Sequence, residues 1–60
     1  MMYHVYFNND TEHTLNHSFR RYNDAIIYAN LYDTRDAVEA FGLTSIEIDN
    51  GSQAVWFVEY

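Results

Sequence analysis

The run Ala54-Val55-Trp56-Phe57-Val58 constrains this chain more than any other stretch. Five consecutive apolar residues, mostly β-branched or aromatic, favour a pleated strand. Neighbouring side chains on a strand project to opposite faces, so a run with no polar alternation needs a cover on both sides. One side is the core. The other is covered by a helix, a partner molecule or a second copy, and that choice is where a function is decided. The pleat leaves open whether Trp56 or its neighbours Val55 and Phe57 face outward.

Sixty residues make a single domain, 1–60, near the lower limit of independent folding. A chain of this size buries only about 60% of the surface its unfolded form exposes. There is no cysteine to add a disulfide or thiolate metal site, so stability must come from a dense aromatic core or from self-association. Six Tyr, four Phe and one Trp suit either. Nine Asp and Glu against three Arg and no Lys give a net charge of −6. That balance repels nucleic acid and anionic membranes and favours basic surfaces, including the grooves of proteins that themselves bind DNA or RNA. It also keeps an aromatic-rich small protein in solution. No stretch approaches the ~20 apolar residues of a membrane span, and the N-terminus shows no basic region ahead of an apolar signal core. A cytoplasmic location is therefore expected.

In chain order, Met2 to Phe7 alternates as a strand, with Tyr3, Val5 and Phe7 on one face. Asn8 to Thr11 supplies turn chemistry, and Thr14 to Phe19 reads as the returning strand. Setting Phe7 opposite Leu15, Val5 opposite His17 and Tyr3 opposite Phe19 gathers the large side chains on one face. Asn23 is an N-cap candidate, with Asp24 in the first turn of a helix that packs through Tyr22, Ala25, Ile26 and Ala29. Continuing that helix beyond Tyr32 would bury Asp33 and Asp36, so it should break near Asp33. A second helix, Arg35 to Phe41, is capped by Asp33 or Thr34 and ends at a left-handed Gly42. Ile27 and Leu31 point away from the packing face, which leaves either a small second core beneath Val38 and Phe41 or an interface. Thr44 to Asp49 places Ile46 and Ile48 inward with Glu47 and Asp49 outward. Asn50-Gly51 suits a two-residue type I′ turn into the final strand. The order β-β-α-α-β-β predicts an α+β fold, a small antiparallel sheet of about four strands with helix on one face.

Catalytic and cofactor signals are missing. His13 and His17 would share a face only on a helix, yet they lie in a turn and strand, so no metal site is expected. Ser18, Ser45 and Ser52 have no elbow motif or placed base, and without Lys there is no Schiff base or phosphate-loop lysine. The chain reads as a non-enzyme with no cofactor. Arg20-Arg21 makes no basic patch and pairs most simply with Asp24, so direct nucleic-acid binding is not expected.

The acidic and aromatic residues carry more. Glu47 and Asp49 project from one strand face about 6.7 Å apart, with Glu59 alongside across the hairpin, and Asp36 and Glu39 form a second acidic group with Asp33. Carboxylates at such spacing can stand in for backbone phosphates on a basic groove. Tyr6, Tyr28, Tyr32 and Tyr60 are too many to bury with satisfied hydroxyls, and exposed Tyr is a frequent interface anchor. In size, acidity and its Tyr- and Asn-rich, Cys-free composition the whole chain resembles, in kind, the short phage-encoded proteins that disable a bacterial host enzyme or defence component. That resemblance implies an inhibitor that occludes the binding surface of a bacterial protein, some members by mimicking nucleic acid. The expected acidic contact residues are then Asp36, Glu39, Glu47, Asp49 and Glu59. Tyr28, Leu31, Trp56 and Tyr60 are the apolar contacts to the partner or to a second copy in a homodimer. The same class also implies an alternative, a dimeric sponge for a nucleotide-type signal; a structural assembly module is a third.

Overall fold

The computed structural model describes all 60 residues. Apolar-polar alternation, and in the last strand a continuous apolar run, produces four strands, β1 (Tyr3–Asn8), β2 (His13–Phe19), β3 (Ser45–Asp49) and β4 (Ala54–Glu59). Between the hairpins run two helices, α1 (Tyr22–Tyr32) and α2 (Arg35–Phe41). The strands form one antiparallel sheet in the order β2-β1-β3-β4, with the helices packed on one face. This is the α+β arrangement that the element order predicts.

The core lies between α1 and the two central strands. Val5 pairs with Ile48 and Phe7 with Ile46, which puts these four on the same face. Val5, Ile46 and Ile48 are wholly buried, together with Ala25 and Ala29 of α1. The two alanines let the helix backbone approach the sheet closely. Leu43 closes one end, and Tyr3, Phe7, Phe19, Ile26, Tyr28, Tyr32, Val38, Trp56 and Val58 pack around the centre. No helix is long and apolar enough to cross a membrane.

The helix breaks as its charges require. The Asp33 amide donates to the Ala29 carbonyl and α1 stops at Tyr32. Of the two cap candidates Thr34 serves α2, its hydroxyl accepting from the Ala37 amide at 3.2 Å. Gly42 ends α2 in the left-handed region at φ 62°, and the Leu43 amide reaches the Val38 carbonyl at 2.9 Å. The start of α1 differs from the expected Asn23 cap. Arg21 occupies that position without a side-chain bond, and Tyr22, edge-on to Tyr3 at 5.6 Å, is already helical. Packing of an aromatic pair thus sets the boundary ahead of the nearest capping residue.

Two further differences concern register. Tyr3 pairs with Phe19 and Val5 with His17 as expected, but the next pair is Tyr6 with Leu15. Asn16 is an extra residue in β2, a β-bulge, so Leu15 does not meet Phe7 and moves to the face away from the helices. The second hairpin closes through four residues, Asn50–Gln53, where a two-residue turn was expected. The Asn50 side chain accepts from the Ser52 and Gln53 amides at 2.9 and 3.0 Å, and the Asn50 amide donates to the Gln53 carbonyl. Those bonds stabilise the wider loop over a tight type I′ turn. Past the loop Asp49 pairs with Ala54 and Ile48 with Trp56, leaving Val55 as a second bulge.

Candidate functional site

The bulges compose the face of the sheet that no helix covers. Residues alternating with buried Val5, Ile46 and Ile48 lie on it, and the register lines up one row across all four strands: Leu15, Tyr6, Glu47 and Phe57. Leu15 and Phe57 at the two ends of that row are each 52% exposed. His13 stacks on the Tyr6 ring at 4.2 Å with the planes only 12° apart, enlarging the aromatic centre.

Polar groups frame the row and brace one another. A His4 ring nitrogen meets the Ser18 hydroxyl at 2.7 Å. The Asn8 side-chain amide donates to Ser45 at 2.9 Å, while its oxygen meets His13. Three carboxylates belong to this face: Glu47 in the row, Asp49 beside it opposite His4, and Glu59 opposite Ser45. None of the three arginines lies in a strand. The open face is an aromatic strip beside three carboxylates and two imidazoles, His4 and His13, braced by the hydrogen bonds that frame it. Asp49 has a structural task as well, since it accepts the Gly51 amide at 2.6 Å and holds the hairpin loop.

The remaining acidic candidates are elsewhere. Asp36 and Glu39 are exposed on α2, whose Val38 packs against the helix-side core. The five acidic candidates thus separate into a strand group of three and a helix group of two, on opposite sides of the sheet. No group of three or more His, Asp or Glu side chains is placed to hold a metal ion.

The apolar candidates divide differently. Trp56 pairs with Ile48 and packs on the helix side, so Phe57 is the aromatic residue of β4 on the open face. Tyr28 sits among the rings of Phe7, His17, Phe19 and Tyr32 and donates its hydroxyl to Asn16 Oδ1. Burial, and then the neighbouring Tyr32 hydroxyl, push the Tyr28 phenol above its ordinary pKa. Tyr60 donates to Asp33 Oδ1 at 2.8 Å and clips the end of the chain to the end of α1. Its phenol is also raised, by burial first and then by Asp33.

Leu31 is open, 66% exposed, as is Ile27 at 62%, so the second small core beneath Val38 and Phe41 does not take them in. Both line a shallow groove of about 300 Å³ with Phe19, Asp24 and Tyr28. Asp24 is its one polar wall, which disfavours a phosphate there.

Sequence reasoning names Tyr6 among the surplus tyrosines and weighs His13 only as a metal ligand, and it places neither of them, nor Leu15, among the expected contact residues. The signal available was the surplus of tyrosine and the parity of β1, which sets Tyr6 opposite to Val5. The chain matches no family model, and no curated protein or solved structure is significantly similar to it.

Proposed function

We propose that this protein is a non-enzymatic binding module whose open sheet face docks on a basic surface of another protein. The observation that carries the reading is the row Leu15–Tyr6–Glu47–Phe57, flanked by Asp49 and Glu59 on a face whose strands carry no arginine and whose basic groups are the imidazoles of His4 and His13. Aromatic and aliphatic anchors beside charge of one sign suit a protein partner, with the anchors supplying affinity and the carboxylates steering association. Like charge disfavours nucleic acid itself. Together with the resemblance in kind to phage-encoded inhibitors, the reading becomes occlusion of a groove on a bacterial protein, in the cytoplasm of the host, with the carboxylates occupying the places of phosphates.

The test is capture from bacterial lysate by the tagged protein, with low-salt and high-salt washes, set beside Glu47→Lys/Glu59→Lys and Asp36→Lys/Glu39→Lys. A basic protein held by wild type and by the α2 variant, released by salt and lost with the strand variant, supports the reading. Equal capture by all three proteins contradicts it.

A further inference from the structure

The sheet ends on β4, and past the bulge at Val55 that edge is open. The Tyr60 amide donates inward to the Thr44 carbonyl. Antiparallel bonding alternates along a strand, so Val58 and Trp56 also turn their backbone groups towards β3, while Phe57 and Glu59 turn theirs outward to solvent. Exposed edges are ordinarily blunted by Pro, by inward-pointing charge, or by bulges that twist the edge away. The other edge, β2, has its bulge mid-strand at Asn16 and is followed at once by Arg20 and Arg21. From Trp56 to Glu59, β4 is regular, and its one charge is Glu59.

We propose that two copies of this chain pair antiparallel along β4, about a two-fold axis at Phe57, joining two four-stranded sheets into one of eight. The strand is complementary to itself in that register. Phe57 meets Phe57 of the second copy on the open face, bringing together two rings that are each half exposed in the single chain. On the helix side Trp56 meets Val58 of the second copy, and Val58 its Trp56, so the two apolar cores become continuous. Both side chains already pack on that core. Centring the pair on Glu59 sets two carboxylates against each other. Centring it on Val58 sets each carboxylate against a Phe57 ring. The Phe57 register avoids both. It also places two acidic-aromatic faces side by side on one surface, although the pairing itself depends only on β4.

Sedimentation across a concentration series tests the proposal, since the mass should rise from 7.1 kDa towards twice that value. Phe57→Pro removes an amide that points outward and makes no bond within the chain, so it should keep the far-ultraviolet circular dichroism and abolish the rise. Phe57→Cys adds a thiol to a chain with none. Opposed residues of such a pair lie about 5.5 Å apart at Cα, within disulfide range, so mild oxidation should give a covalent dimer. Leu31→Cys, exposed on α1, should form far less. A wild-type mass that stays at 7.1 kDa, or a folded Phe57→Pro variant that associates as wild type does, overturns the proposal. Should Phe57→Pro fail to fold, cross-linking of Phe57→Cys no faster than that of Leu31→Cys overturns it instead.

Discussion

The two hairpins close in the same way and then diverge. In each, four residues led by Asn form the loop, Asn9–Glu12 and Asn50–Gln53. Each Asn amide donates to the carbonyl three residues on, and each Asn side chain accepts the amides two and three residues on. Leu15 and Trp56 are then equivalent, each the third residue of its returning strand. They end on opposite faces because the bulge precedes Trp56 and follows Leu15. A single extra residue, and its position, decides which large side chain feeds the core and which is left exposed on the open face.

The widest gap should appear on truncating these equivalents. Trp56→Ala removes a ring packed on the core and should cost about 3 kcal/mol, whereas Leu15→Ala, on the open face, should cost less than about 1 kcal/mol. Urea unfolding followed by circular dichroism measures both, and equal costs break the comparison. Smaller is the effect of Asn16→Ala, about 1 kcal/mol, because the Tyr28 hydroxyl loses its acceptor at the bulge. Asn9→Ala and Asn50→Ala should each cost a similar ~1 kcal/mol and match one another, so unequal values show that the loops are alike in geometry only.

The gentlest probe is alkaline pH. Tyr28 touches the first hairpin through Asn16, and Tyr60 ends the second; both phenols are raised in the fold. Above about pH 10 the unfolded chain releases these protons while the folded chain retains them, so stability present below that pH falls as it rises. Tyr28→Phe and Tyr60→Phe should each flatten part of the decline in thermal melts above pH 10. An unchanged slope in both variants removes the two phenols from the account.

Much of this arrangement is legible in the residues. Alternation along β1 and β3, the alanines of α1, Thr34 and Gly42 each carry a local signal strong enough to place an element or its end. Bulges have no such signal. Asn16 is polar and Val55 apolar, and neither differs from an ordinary strand residue until its partner strand is known. The inward turn of Trp56 and the outward one of Leu15 are therefore properties of pairing, and with them goes the composition of the open face. Asn50-Gly51 shows a related limit, because the Asn side chain was free to organise a loop wider than the dipeptide alone favours. The acidic residues illustrate a third: Asp36 and Glu39 resemble Glu47 and Glu59 in the sequence, and only the packing of α2 on the helix side separates them.

The claim on which the open face rests is the pairing of Glu47 with Phe57. The inward bonds of Trp56 and Val58 make this a non-hydrogen-bonded pair, in which the two Cα atoms approach to about 4.5 Å. The Hα protons should then give a strong cross-strand nuclear Overhauser effect. Detecting that contact between Glu47 and Phe57 confirms the bulge at Val55 and the outward Phe57. Finding it between Glu47 and Trp56 contradicts the account, because without the bulge Trp56 would share the open face with Glu47.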